Sequence, residues 1–306
     1  MLFVRHLNQG VICWSFMSED LMQGDFEITD DGEFAVVEGV QLHYVSRGAG
    51  APVVLLHGNA GFTHDYAAVV RSLVEHGFRA LAFDRPGHGQ SVRPNNGTAT
   101  VEKQARLIRG ALGELNIKRP IMIGHSWGGM LVLAYALEYK MEVSGIVLLA
   151  PAAYPDDSEF ATPRALIEIP GLGDLIIRMS SPLIDRESRR NLDRAFSPDE
   201  VPAYYLELAT AIWNRPEQIK AIVQDEAIFS TTAERLSRRY SEIQVPTIII
   251  TGDSDRLVNP EKHAYPLHDV ISQSRLIVLP ETGHMLPHTR PEAVLDAVQI
   301  LEAQLS

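Results

Sequence analysis

The stretch Ile121-Met-Ile-Gly-His-Ser-Trp-Gly-Gly129 decides the fold of this chain. It begins as an apolar run and ends in Gly-x-Ser-x-Gly, and the residues from Met130 to Tyr139 have helical spacing. A strand that turns into a helix through such a pentapeptide is a nucleophile elbow, in which small residues two places on either side let the backbone close around the serine. The pattern therefore predicts a strained turn that exposes the hydroxyl of Ser126, with the backbone N–H of Trp127 directed to where an oxyanion would form.

The composition narrows the class of function. The chain has 306 residues, a formal net charge of −12 and one cysteine, Cys13. Nucleic acids and anionic membranes require concentrated Lys and Arg, so neither is an expected partner. With one cysteine, the chain cannot form an internal disulfide. The sequence has neither of the metal-binding motifs CxxC and HExxH. No apolar run reaches the ~20 residues of a membrane span. We expect a cytoplasmic monomer or homodimer with no metal or other cofactor.

Apolar strands alternate with helical patterns along most of the chain. Strands are predicted at 33–38, 42–46, 52–57, 78–83, 120–123, 145–150, 246–251 and 275–279, and helices at 65–76, 100–115, 130–139, 260–271 and 291–305. The first two strands form an antiparallel pair. The later strands are continuous apolar runs, which suit burial on both faces, and their alternation with helices predicts right-handed crossovers. The fold class is therefore α/β, with a mostly parallel, doubly wound sheet.

This alternation stops between residues 152 and 242, where helical segments are broken by prolines. We predict a core formed by residues 33–151 and 243–306, with an all-helical cap inserted at 152–242. Residues 1–32 lack the pattern of a signal peptide and are interpreted as a lead-in. Met17, followed by Ser18-Glu-Asp, is an alternative start of translation.

A serine hydroxyl needs a histidine base, and that base needs an orienting carboxylate. Two predicted strands are followed by such groups, because Thr251-Gly-Asp-Ser-Asp255 follows one and Glu281-Thr-Gly-His284 the other. Both therefore lie at the carboxyl edge of the sheet, where ligands bind. Asp255 is favoured over Asp253, which directly follows a turn glycine, and His284 is favoured over His288. Ser126, Asp255 and His284 are thus the predicted catalytic residues.

The second oxyanion donor is expected from the loop after Leu56. The N–H of Asn59 is the candidate there, paired with that of Trp127, while His57 and Gly58 shape the loop and border the substrate pocket. Several other polar residues are interpreted as structural. Asp84, His88 and Ser91 belong to a strand end and turn, His125 is a packed core histidine, and Cys13 is a small apolar residue.

Five strings together resemble the α/β-hydrolase fold superfamily, over roughly residues 33 to 305. They are His57-Gly-Asn59, Asp84-Arg-Pro-Gly-His-Gly-Gln-Ser91, Gly124-His-Ser-Trp-Gly-Gly129, Gly252-Asp-Ser-Asp255 and Gly283-His284. The resemblance implies an α/β-hydrolase core with a helical cap. It also implies an acid at the last position of Gly-x-x-Asp, which supports Asp255.

Two positions are also similar to haloalkane dehalogenases, in which the Asn after His57-Gly58 and the Trp after the nucleophile hold the halide. Those enzymes, like epoxide hydrolases, use an aspartate nucleophile, whereas this chain has Ser126. A serine ether formed from an alkyl halide would be a dead end, while water can clear an acyl-serine. The sequence therefore argues against both activities.

The expected activity is hydrolysis of a small-to-medium carboxylic ester through an acyl-enzyme, so the expected partner is a small-molecule substrate. The cap residues expected to line the pocket, or to pack the cap helices, are Phe160, Leu166, Tyr204, Tyr205, Trp213 and Phe229. Three alternatives stay open: a C–C bond hydrolase of ring-cleavage products, a proline iminopeptidase-like aminopeptidase and a non-catalytic receptor for a small ligand. The aminopeptidase would need acidic cap residues, for which the candidates are Glu168, Asp174, Glu207 and Glu226.

Overall fold

The computed structural model describes residues 32–94, 99–155 and 186–305. Within these ranges the strands are β1 (Glu33–Val37), β2 (Val40–Arg47), β3 (Pro52–Leu56), β4 (Arg79–Phe83), β5 (Ile121–His125), β6 (Gly145–Leu149), β7 (Thr247–Gly252) and β8 (Ser274–Leu279). The helices are α1 (Ala67–Glu75), α2 (Val101–Glu114), α3 (Trp127–Glu138), α4 (186–196), α5 (Ala203–Trp213), α6 (Pro216–Ser237), α7 (Ala264–Val270), α8 (Leu286–Thr289) and α9 (Pro291–Leu305). Short 3-10 turns lie at Thr63–Tyr66 and Tyr240–Glu242.

The strands form one sheet in the order β1-β2-β4-β3-β5-β6-β7-β8. β1 pairs with β2, and β2 with β4, in antiparallel fashion, whereas every later pairing is parallel. The predicted α/β class with a mostly parallel sheet is therefore confirmed. The carboxyl ends of β3, β5, β7 and β8 meet at one edge, as the sequence analysis requires of the loops that carry its candidate residues.

The side chains of the central strands alternate between two apolar layers. In β3, Val54 and Leu56 pack in the layer that also holds α2, α3 and α7, while Val53 and Leu55 pack in the layer with α1 and α9. Both layers exclude water, which explains why these strands are continuous apolar runs. The burial of each large apolar side chain contributes about 1.5–3 kcal/mol.

Three described helices, α4, α5 and α6, lie between β6 and β7 in the chain. A third apolar cluster joins Tyr205 and Ile212 of α5 to Phe196 of α4, Phe62 of the core and Met285 near α8. The helix α6 also packs on the sheet layer of α3, through Ala233 and Leu236. The limits of the cap stay a prediction, as does the lead-in, because residues 1–31 and 156–185 fall outside the described residues, and with them Cys13, Met17, Phe160, Leu166, Glu168 and Asp174.

One helix begins later than the sequence predicts. The segment from Pro260 was expected to be helical, but α7 begins at Ala264. The N–H groups of Lys262 and His263 bond to the carbonyl of Asn259 instead, which forms a turn before the helix. A turn of this kind has the same local spacing as a helix, so the sequence pattern did not separate the two. Among the described helices, none is both long and apolar enough to cross a membrane.

Candidate active site

Ser126 sits at the junction of β5 and α3 in a conformation that few residues other than glycine adopt. Its φ is 53° and its ψ is −121°, and a backbone of this kind costs about 1–3 kcal/mol. The N–H of Ser126 donates to the carbonyl of Leu149 at 2.9 Å, which anchors the turn to β6. The structure thus shows the tight strand-to-helix turn that the motif predicts.

The two glycines of the motif are required by close backbone approach. A Cβ built on Gly124 would lie 2.4 Å from the carbonyl oxygen of Gly128, and one built on Gly128 would lie 2.2 Å from that of Leu56. Real Cβ atoms do not approach this closely, so any side chain at either position would displace the backbone. The serine is therefore held by packing on β3 as well as by its own turn.

The loops after β7 and β8 bring a carboxylate and an imidazole together. Nδ1 of His284 donates to Oδ2 of Asp255 at 2.7 Å, and both side chains are buried. Oδ1 of Asp255 accepts from the N–H groups of Leu257 at 2.8 Å and Val258 at 2.9 Å. Burial alone would raise the pKa of Asp255, but His284 and these backbone bonds hold it below its usual range. With Nδ1 bound to the carboxylate, Nε2 is the nitrogen left to exchange a proton with a nucleophile.

The two competing residues of the sequence analysis lie elsewhere. Asp253 is exposed and accepts from the hydroxyl of Ser254 at 2.9 Å. His288 lies partly buried in α8, with its ring edge-on to that of Tyr205 at 4.3 Å. The structure therefore brings Asp255, and not Asp253, to His284.

The backbone of His284 is held from two sides. Nε2 of His125 donates to the carbonyl of His284 at 2.9 Å, and the N–H of His284 donates to the carbonyl of Ala195 in α4 at 2.9 Å. Burial, followed by the adjacent His284, lowers the pKa of His125 to about 3, so this side chain is neutral. From the sequence, His125 is interpreted as a packed core residue. Its burial agrees with that interpretation, but its bond to His284 was not foreseen.

The loop after β3 lies directly against Ser126. A Cβ built on Gly58 would lie 3.0 Å from the Cβ of Ser126, so a larger residue would crowd the serine. His57 is fully buried, donates from Nδ1 to the carbonyl of Gly58 at 2.8 Å, and accepts at Nε2 from the N–H of Arg85 at 2.9 Å. The side chain of Asn59 turns away and donates to Glu226 of α6. Burial raises the pKa of Glu226, although the bond from Asn59 opposes this.

The segment from Asp84 to Ser91 is held by hydrogen bonds of its own, and Arg85 within it also bonds to His57 and Gly58 of the loop after β3. The Asp84 carboxylate accepts from the N–H groups of Thr63 at 2.7 Å and Gln90 at 2.9 Å. Ser91 donates to the carbonyl of Asp84 at 2.7 Å. Arg85, which the sequence analysis left out, is fully buried and forms an ion pair of 2.7 Å with Asp225 of α6. The sequence offered no signal for this pair, because its partners are 140 residues apart.

The four described residues of the predicted cap differ in their surroundings. Tyr204 is 40% exposed, whereas Tyr205 is buried and donates to Asp65 at 2.8 Å. Trp213 donates from its ring to the carbonyl of Ala60, and Phe229 packs partly buried on the sheet layer of α3. Trp213 thus reaches the loop that follows Asn59. A role in lining a pocket stays a prediction for all four.

The family model for the alpha/beta hydrolase fold matches residues 51–291 of the chain, which is most of its length. This chain belongs to the alpha/beta hydrolase fold family. The matched alpha/beta hydrolase region includes the elbow, the loop after β3 and the Asp255–His284 pair.

Two curated relatives and one solved structure place this alpha/beta hydrolase among diverse enzymes. An uncharacterized hydrolase, YugF, of Bacillus subtilis is 27% identical over 86% of this chain and 94% of its own length. A 2-hydroxy-6-oxo-6-phenylhexa-2,4-dienoate hydrolase of Comamonas testosteroni is 27% identical over 79% of this chain and 84% of its own. An esterase from Exiguobacterium antarcticum superposes with a TM-score of 0.71 at 23% identity, covering 89% of this chain and 99% of the esterase. The dienoate hydrolase and the esterase are named for different reactions.

Proposed function

We propose that this chain is a serine hydrolase that cleaves a small-to-medium carboxylic ester through an acyl-enzyme. The observation that carries the proposal is the 2.7 Å bond between His284 and Asp255 at the sheet edge where the elbow presents Ser126. A serine in such a turn, a histidine with Nε2 left over and a buried ionised carboxylate are the three groups that acyl transfer by a serine requires. The likeness to an esterase supports the fold of such an enzyme.

The proposed reaction has two halves. Nε2 of His284 takes the proton of the Ser126 hydroxyl as its oxygen attacks the carbonyl carbon, and Asp255 stabilises the resulting imidazolium. The N–H groups of Asn59 and Trp127 bind the oxyanion of the tetrahedral intermediate. His284 then protonates the departing alcohol. Water, activated by the same imidazole, attacks the acyl group and releases the acid.

The test is steady-state hydrolysis of p-nitrophenyl esters of increasing acyl length. We expect wild type to turn over and Ser126→Ala to lose activity by several orders of magnitude, about 10⁴-fold or more. Asp255→Asn should lower kcat by about 10³- to 10⁴-fold, because the neutral amide neither stabilises the imidazolium nor fixes its tautomer. The matched control is Asp253→Asn, which removes an exposed carboxylate two residues away and should leave kcat unchanged. Equal losses in the two Asp variants would contradict the proposed roles.

A second reaction, hydrolysis of a C–C bond, is favoured by the dienoate hydrolase among the relatives. The same three side chains could serve it, so the geometry of Ser126, Asp255 and His284 does not separate the two reactions. The direct comparison is the rate of hydrolysis of a 2-hydroxy-6-oxodienoate, which can be measured from the loss of the colour of this substrate. Faster turnover of the dienoate than of every ester in the series would replace the esterase proposal.

A further inference from the structure

A buried guanidinium lies behind the loop that approaches Ser126. Arg85 donates from Nε to the carbonyl of His57 at 3.0 Å and from Nη2 to the carbonyl of Gly58 at 3.0 Å. Its Cζ lies 4.1 Å from the centre of the Trp127 ring. The side chain of Arg85 therefore contacts the first two residues of the loop after β3, His57 and Gly58. It also contacts Trp127, the residue that follows the nucleophile.

The contact with Gly58 acts on the N–H group of the next residue. The carbonyl of Gly58 and the N–H of Asn59 belong to the same planar peptide group. A hydrogen bond to a carbonyl polarises its peptide and strengthens the donor at the other end. Together with the bonds that the same carbonyl accepts from Nδ1 of His57 at 2.8 Å and from the N–H of Gly61 at 3.3 Å, the bond from Arg85 sets the plane of the peptide, and hence the direction of the Asn59 N–H. A charged donor has a larger effect than a neutral one.

The guanidinium is in turn held by the helix α6. Nη1 of Arg85 donates to Oδ2 of Asp225 at 2.7 Å, and both side chains are fully buried. Burial alone would raise the pKa of Asp225, but Arg85, Arg93 and His88 hold it well below its usual range. The carboxylate is therefore ionised and keeps Arg85 in a single orientation. Arg93 donates to the other oxygen, Oδ1, at 2.8 Å, and it also donates to the carbonyl of Pro86 and to the side chain of Gln224.

We propose that Arg85, held by Asp225, is a positioning residue that orients and polarises the Asn59 N–H to bind the oxyanion. The inference rests on the proposed function, because it assigns a role within the same reaction. In the proposed reaction, Arg85 contacts neither the substrate carbonyl nor the proton that is transferred from Ser126 to His284. Its effect is on the tetrahedral state, where negative charge develops, and not on the bound ester.

Arg85→Lys keeps the charge but cannot reach both carbonyls and Asp225 together. Loss of a direct oxyanion donor costs about 10²- to 10³-fold in kcat, so loss of its support should cost about 10- to 100-fold. We expect KM for a p-nitrophenyl ester to change by less than about threefold. The affinity of an alkyl boronic acid, whose adduct with Ser126 is tetrahedral, should fall by the same factor as kcat/KM.

The matched control is Arg93→Met, which removes the other guanidinium from the same carboxylate without touching the loop after β3. We expect its kcat and boronic acid affinity to stay within about threefold of wild type. A second variant, Arg85→Met with Asp225→Asn, removes both charges of the fully buried pair, so neither is left without its partner. Arg93, which is partly exposed, keeps its bonds to Pro86 and Gln224. It should show the same loss of kcat as Arg85→Lys or a larger one.

A fluorophosphonate probe separates the two proposals, because it needs an activated serine but no ester turnover. Its rate of reaction with Ser126 should fall in Arg85→Lys by about 10- to 100-fold and stay near wild type in Arg93→Met. If wild type reacts and the Arg85 variants match Arg93→Met, the role of Arg85 is overturned while the hydrolase stands. If wild-type Ser126 reacts with neither ester nor probe, the proposed function is overturned and this inference falls with it.

Discussion

Asp65 links the stability of this protein to pH in the neutral range. Its buried carboxyl group accepts from the hydroxyl of Tyr205 at 2.8 Å and from the N–H of Phe62 at 3.4 Å. Burial outweighs these bonds and raises the pKa of Asp65 from 3.8 to about 7. Between these two values the native state holds a proton that the unfolded chain has released. The free energy of unfolding therefore falls as the pH rises towards 7, and this contribution is lost above it.

The size of the effect follows from the shift. A difference of about 3 pKa units corresponds to about 4 kcal/mol, at about 1.4 kcal/mol per unit. Over the interval from pH 5 to pH 8, the proton linkage amounts to a loss of roughly 2.5 kcal/mol. Asp65→Asn cannot ionise, yet its amide oxygen can still accept from Tyr205. We therefore expect the free energy of unfolding of Asp65→Asn, relative to that of wild type, to rise by roughly 2.5 kcal/mol as the pH rises from 5 to 8.

The assay is urea unfolding of wild type and Asp65→Asn at pH 5, 6, 7 and 8. Other buried titrating groups contribute to both proteins, so the difference between the two profiles isolates Asp65. Asp253→Asn serves as the control, because it makes the same chemical change at an exposed carboxylate. Parallel profiles of wild type and Asp65→Asn would refute the reasoning, since they would show that Asp65 has the same pKa in the folded and unfolded chain.

Three further substitutions, with one control, test the packing and the acid response. Gly128→Ala should destabilise the fold by about 1–3 kcal/mol, because its Cβ would lie 2.2 Å from the Leu56 carbonyl oxygen. A Cβ built on Gly113 in α2 has no atom within 4 Å, so Gly113→Ala should stabilise the fold by up to about 1 kcal/mol. The thermal midpoints of the two variants and of wild type give the comparison. Burial lowers the pKa of His288 from 6.5 to about 3, so its contribution to stability is lost as the pH falls below 6.5. When the pH falls from 7 to 4, the free energy of unfolding, measured with urea, should therefore fall by roughly 3 kcal/mol less in His288→Asn than in wild type. His76 is exposed, and His76→Asn should follow wild type.

Much of this architecture follows from short-range patterns. The apolar runs that became β3, β5 and β6 are buried on both faces, and no other local pattern explains such continuity. The parallel arrangement then places every loop after a strand at one edge, which is why Asp255 and His284 could be named although 29 residues separate them. The turn before α7 was misjudged because turns and helices share their first few residues of spacing.

The contacts behind the loop after β3 could not be predicted in this way. The pattern of the segment from Asp84 to Ser91 predicts a strand end and turn, which accounts for its backbone. The charge of Arg85 has meaning only once Asp225 is placed beside it, and that depends on how α6 packs. Glu226 was one of four acidic candidates, and only the folded chain shows that its partner is Asn59.

These two contacts have one origin, because Asp225 and Glu226 are consecutive residues of α6. Neighbours on a helix point about 100° apart, so two adjacent acids can reach partners on two different loops. Asp225 holds Arg85, which bonds to the carbonyl of Gly58, while Glu226 holds the side chain of Asn59. One turn of α6 therefore contacts the Gly58–Asn59 segment in two ways, through Arg85 at the carbonyl and through Glu226 at the Asn59 side chain. A rotation of α6 would therefore change both contacts together, the one through Arg85 and the one with the Asn59 side chain.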